Sequence, residues 1–180
     1  MSRPPAIKPS QPITHRRVLA ISLPIVVSNA TVPLLGIVDT GVVGQLGEAA
    51  PIGAVALGAS ILTTIYWIFG FLRMGTAGLA AQAIGAGDTD ESEALLSRAL
   101  MIGLSVGGLI IAFHLPLIAG ALWVAPASAE VEPMARAYMQ IRVFSAPAMI
   151  AIYGFSGWLI AHGRTSSILA IQLVMNLLNM

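Results

Sequence analysis

An all-α, polytopic membrane bundle is the fold that the sequence predicts, on three observations. Hydrophobic residues make up 57% of the chain and charged residues only 9%, whereas a soluble domain carries charge at about a quarter of its positions. Mean hydropathy is +0.86. The apolar residues also fall into runs that reach the roughly 20 residues a helix needs to cross a hydrocarbon core, without the period-two alternation of a barrel strand.

The elements follow in order. Residues 1–17, with Pro4, Pro5, Pro9 and Pro12, are expected to form a disordered tail. Arg3, Lys8, Arg16 and Arg17 give that tail the charge of a signal-peptide n-region, but the next run is too long and has no good small-residue cleavage site, so the tail should stay attached. Apolar runs predict helices over about 18–43, 52–72, 95–117 and 143–161. A fifth run, 166–180, is too short to span and has no charged or aromatic exit flank, which predicts that the chain is an N-terminal fragment of a larger protein. Residues 18–180 then form an incomplete transmembrane lobe.

Loop charge sets the expected orientation. The tail, the second loop (Arg73, Arg98) and the fourth loop (Arg164) carry cations on one side, against Glu48 in the first loop and Arg136 with Arg142 in the third. The positive-inside rule places the N-terminus in the cytoplasm, with the chain in the cell's inner membrane. A net charge of +1 gives no reason to expect a nucleic-acid partner; the lipid bilayer is the expected surrounding.

Glycine and proline predict the packing. The third helix carries Gly103-x-x-x-Gly107 beside Gly108, and the fourth carries Gly154 and Gly157, which lets neighbouring backbones approach closely. Pro24 and Pro33 each remove a backbone donor from the first helix and mark it as bent, either by a fixed kink or by a moving one. Pro147 is expected to interrupt the fourth span near its outer end.

Most polar clusters predict no chemistry. Asp88, Asp90, Glu91 and Glu93 ahead of Arg98 read as a solvated helix start, with Asp88, Thr89 and Asp90 as N-cap candidates, rather than as a metal loop. His15, His114 and His162 are too scattered for a zinc site, and the chain has no cysteine. No metal or cofactor is expected. An intramembrane enzyme lacks its motifs here: there is no His-Glu pair, no Gly-x-Ser-x-Gly and no Gly-x-Gly-Asp.

Asp39 is the exception, a carboxylate inside the first apolar run. Such a charge costs about 2.5–3.5 kcal/mol at the bilayer centre on insertion scales, so it needs a polar partner, a watery cavity or a proton. At 100° per residue Ser28 lies within about 40° of Asp39, with Pro24 about 60° and Asn29 about 80° away. Gln172, Asn176 and Asn179 fall within about 60° of one another on the fifth run. Two readings stand: the amides glue helices together, or the first and fifth helices meet and Asp39, Asn176 and Asn179 enclose a cation or proton, with Ser28, Asn29 and Gln172 lining the cavity.

Several segments resemble the multidrug and toxic compound extrusion (MATE) family, and are most similar to its branch named for the DNA-damage-inducible protein F. They are Leu23–Thr40 followed by Gly44, Phe71–Ala86, Ile141–Ala148, Gly157-Trp158-Leu159 and Asn176-Leu177-Leu178-Asn179, in family order. The resemblance implies a cation-coupled antiporter of two six-helix lobes that exports cationic or amphipathic organic compounds by alternating access. Protons or sodium ions would be the coupling ion. It implies that Asp39 is the protonation or cation site, that Asn179 belongs to its network and that Pro24 marks the bend. A further acidic partner and the whole second lobe would lie beyond Met180. The alternatives are a lipid-linked oligosaccharide flippase of the same superfamily, disfavoured because none of the four spans has a central Arg or Lys, and a noncatalytic membrane assembly subunit.

Overall fold

The computed structural model describes residues 15–45 and 48–178, and every regular element among them is helical. Helix α1 (His15–Gly44) is followed by α2 (Ala49–Trp67), α3 (Phe71–Ala86), α4 (Thr89–Ala112), α5 (His114–Val124), α6 (Val131–Arg142), α7 (Ala146–Ala161) and α8 (Thr165–Leu178). Single 3₁₀ turns at Ile68–Gly70 and Val143–Ser145 join α2 to α3 and α6 to α7. The joined helices Ala49–Ala86 and Val131–Ala161, together with α4, are long and apolar enough to cross a membrane. The chain is an integral membrane helical bundle.

Helix boundaries depart from the apolar runs where backbone chemistry, not hydropathy, sets the end. The second helix does not stop at Leu72 but runs to Ala86, so Arg73 sits inside a helix rather than in a loop. It ends where Gly87 takes a left-handed φ of 77°. The Gly87 and Asp88 amides then bond the Ile84 and Ala83 carbonyls at 3.0 and 2.9 Å, closing the helix end. Gly163 (φ 67°) and Arg164 repeat this closure on Ile160 and Leu159 at the end of α7.

The third helix begins at Thr89 rather than residue 95 because Asp88 caps it. Its Oδ1 accepts the Glu91 amide at 2.9 Å, and Asp90 and Glu91 occupy the first turn. Arg98 is also helical and pairs with Glu91 at 2.6 Å on an exposed face. At the far end α4 stops at Ala112, and Phe113 separates it from α5. Pro116 accounts for the break, since it cannot donate to the Ala112 carbonyl and its ring crowds that oxygen. The His114 ring bonds the Ile111 carbonyl at 2.7 Å, so this histidine serves a helix end.

The fourth span begins at Val131, twelve residues before the apolar run. Helix α6 buries Ala135 and Met139 at i, i+4 spacing, which continues to buried Val143, while Arg136 pairs with Glu132 on the other face. Pro147 has no amide for the Val143 carbonyl, which accepts the Ala146 amide instead. That shorter bond is the 3₁₀ turn.

Packing centres on α7, which lies against α3, α4 and α8, while α6 packs on α2. Glycine makes these approaches possible. A Cβ on Gly103 would stand 2.7 Å from the Ala151 Cα, one on Gly154 2.7 Å from the Ala99 Cβ, and one on Gly107 or Gly157 would run into the backbone of Pro147 or the Arg73 carbonyl. Gly108 meets nothing within 4 Å. The apolar core between these spans is built from Leu62, Tyr66, Leu72, Ile110, Met139, Val143 and Ile150. Where α4 begins and α7 ends, Trp158 Nε1 donates to the Ser92 carbonyl at 3.1 Å.

The paired glycines supply an internal control. Gly107→Ala should destabilise the bundle by about 1–3 kcal/mol through overpacking. Gly108→Ala should leave it unchanged or slightly firmer, because alanine is the better helix former. Thermal unfolding of the two variants in detergent distinguishes them, and equal behaviour would contradict the close approach at Gly107.

Candidate functional site

The residues that the sequence groups into a site lie on α1 and α8, and these two helices pack against each other. Helix α1 also touches α2, and α8 touches α7, so the pair is attached to the central spans from both sides. The helices of the first and fifth apolar runs, α1 and α8, therefore meet, which is the condition that the cavity reading sets. Thirty helical residues extend α1 to about 45 Å at 1.5 Å per residue. The helix is unbroken through Pro24 and Pro33.

Individual residues are placed unevenly. Pro24 is half-buried on α1, and Gln172 is half-buried on α8. Asp39, Ser28, Asn29 and Pro33 belong to α1 by backbone, and Asn176 belongs to α8, but their side chains lie outside the described residues. Asn179 lies outside them entirely. Near the start of α1, Ser22 Oγ bonds the Val18 carbonyl at 2.8 Å. Among the described residues no group of His, Asp and Glu is placed to hold a metal.

A second feature is invisible to an apolar-run reading. Trp67, Phe71, Arg73 and Met74 on the α2–α3 rod face Tyr153 and Ile160 of α7 across an open groove of about 550 Å³. Its walls are apolar and aromatic except at Arg73 and Tyr153, and no carboxylate among the described residues lies within ion-pair distance of Arg73. The sequence signal was available: Arg73 lies between Phe71-Leu72 and Met74, and a helix that must reach Gly87 carries it along. The Tyr66 hydroxyl is buried in the apolar core, and the Ser92 hydroxyl is buried in the first turns of α4.

A polytopic membrane bundle with a carboxylate-bearing α1 packed on an amide-bearing α8 is the class that fold and site define. Comparison places it within a family. The family model MatE matches residues 24–180. The DNA damage-inducible protein F of Escherichia coli (strain K12) is 38% identical over 159 residues, covering 88% of this chain and 35% of that protein. Two proteins named probable multidrug resistance protein NorM are each 27% identical. The one from Xanthomonas axonopodis pv. citri covers 82% of this chain and 32% of its own length, and the one from Deinococcus radiodurans covers 88% and 35%. No solved structure matches. The chain belongs to the MatE family, and it spans about a third of the length of the curated relatives it matches.

Because the chain has no native cysteine, the α1–α8 contact can be tested by disulfide scanning. Cysteines placed one at a time over Ser22–Val26, each with Gln172→Cys, should include at least one pair that cross-links on mild oxidation. Pairing Met101→Cys, on an exposed face of α4, with the same α1 positions should give none. Cross-linking that does not depend on position would contradict the packing.

Proposed function

We propose that this chain forms the ion-coupling part of a cation-driven exporter of organic compounds, in which Asp39 alternately holds and releases a proton or sodium ion. The observation that carries the reading is the packing of α1 on α8, which sets the helix of Asp39 against the helix of Gln172 and Asn176. Membership of the MatE family and relatives named for multidrug resistance support the export of small organic molecules rather than catalysis.

The proposed chemistry is a competition at one carboxyl group. Apolar surroundings favour its neutral form, while amide donors and a bound cation favour the carboxylate, so modest movement of α8 against α1 exchanges the ion. Two prolines leave α1 with unclaimed carbonyl groups at Ala20 and Asn29, which lowers the cost of bending there. Neutralising Asp39 then reshapes the cavity and expels substrate by movement of this lobe against a second. The N-terminus faces the cytoplasm in the inner membrane. Asn179 joins the amide set, Ser28 and Asn29 line the cavity, and the substrate is cationic or amphipathic.

The alternative is a lipid-linked oligosaccharide flippase, which would need a cation at the centre of a span, and Arg73, 24 residues along the rod from Ala49, is too near the end of the crossing to be one. The two readings differ in what Asp39 must do. Asp39→Asn in the full-length protein, purified and reconstituted in liposomes loaded with the fluorescent cation ethidium, should lower ion-driven efflux at least about tenfold while leaving the protein folded, since a coupling charge within the membrane is worth more than about 1.4 kcal/mol. Undiminished efflux in the variant would contradict coupling at Asp39. Efflux absent from the unaltered protein would point to an assembly subunit or a flippase instead.

A further inference from the structure

Arg73 lies where the membrane ends. It is 24 residues, about 36 Å, along the rod from Ala49 and about 20 Å from its other end at Ala86. A hydrocarbon core of about 30 Å entered near Ala49 is therefore crossed just before Arg73. The neighbouring span agrees: Gly157 packs on the Arg73 carbonyl, and α7 stops four residues later at Ala161. Trp158, bonded to Ser92 in the charged first turns of α4, marks the same level.

The groove beside Arg73 joins a cation at that boundary to apolar walls that run inward. Trp67 lies six residues, about 9 Å, deeper along the rod than Arg73, and Tyr153 is one turn deeper than Gly157 on α7. Trp67 is 76% and Met74 80% exposed, so the groove opens outward from the bundle. A guanidinium at the head-group level with no carboxylate partner among the described residues has one constant source of counter-charge, the lipid phosphates.

We infer that the groove between α3 and α7 is a binding site for an anionic phospholipid, whose head-group phosphate pairs with Arg73 and whose acyl chain lies along Phe71, Trp67 and Tyr153. Arg73 supplies the planar fork that a phosphodiester accepts. Trp67 and Tyr153 give rings with a polar edge near the interface, where such side chains accumulate. A cavity of about 550 Å³ falls within the usual range for ligand sites, about 300–1,000 Å³. An occupant there would bridge α3 and α7 beside the Gly157 contact and hold the rod in register. The site stands apart from the α1–α8 pair and does not depend on which ion or substrate that pair serves.

The test is native mass spectrometry of the detergent-purified protein titrated with phosphatidylglycerol or phosphatidylcholine of matched chains. Phosphatidylcholine carries the same phosphodiester, but its choline cation lies beside it and opposes Arg73, so phosphatidylglycerol, with a net negative head group, should bind about tenfold more tightly. Arg73→Gln should reduce it to the phosphatidylcholine level, and Arg73→Lys should keep part of the difference. Arg98→Gln, a cation on α4 already paired with Glu91, should leave it intact. Should Arg73→Gln fail to fold, Ile160→Trp narrows the groove with Arg73 in place and should weaken phosphatidylglycerol to a similar extent. Equal binding of the two lipids, a wild-type response from the folded variants, or full displacement of the lipid by millimolar inorganic phosphate would overturn the assignment.

Discussion

The close approach of α7 to α3 and α4 is the constraint on which the rest of the bundle depends. Lipid offers apolar side chains no advantage in leaving it, so helices in a membrane associate through tight packing and polar contacts rather than through water exclusion. Gly103, Gly107, Gly154 and Gly157 remove the atoms that would keep these backbones apart. With α7 fixed against two spans, α6 is carried onto α2 by the same continuous helix. The α1–α8 pair is then attached at its edges, through α2 and α7.

That arrangement separates a firm part from a part suited to move. The central spans share a buried core and are closed by capped ends at Asp88, Gly87 and Gly163. The α1–α8 pair contributes its contacts mainly to itself. Two prolines lie in α1 and none in α8. If an ion on Asp39 is to change shape elsewhere, the pair can respond without dissolving the glycine-packed centre, and backbone carbonyls left free by Pro24 and Pro33 give it a place to bend. Pro147 plays a different part, because its missing amide is absorbed into a 3₁₀ turn inside the fixed span.

The sequence disclosed the helical, apolar kind of the bundle because burial in lipid demands long apolar runs, and it disclosed Gly103, Gly107, Gly154 and Gly157 because small residues have few other uses at helical spacing. Its boundaries were less legible. Hydropathy marks where lipid ends, not where hydrogen bonding ends, so α3 continues past Arg73 to Gly87, and charged α6 continues a span whose apolar part starts at Val143. The Ala135, Met139, Val143 spacing was the overlooked cue for α6. The meeting of α1 with α8 was one of two readings that their polar stripes left open. The groove at Arg73 was not legible, since it depends on which face of the rod meets α7, and single-chain periodicity does not specify that pairing.

The central claim is that Asp39 exchanges a proton or cation within the membrane. Infrared difference spectroscopy on protein labelled with ¹³C-aspartate reads this directly, because the other aspartates of this chain, Asp88 and Asp90, lie exposed at the start of α4. A protonated-carboxyl band that disappears on adding sodium or raising pH, and that Asp39→Asn removes, is the result expected. A spectrum in which no such band exists, or in which Asp39→Asn leaves it in place, would contradict the account.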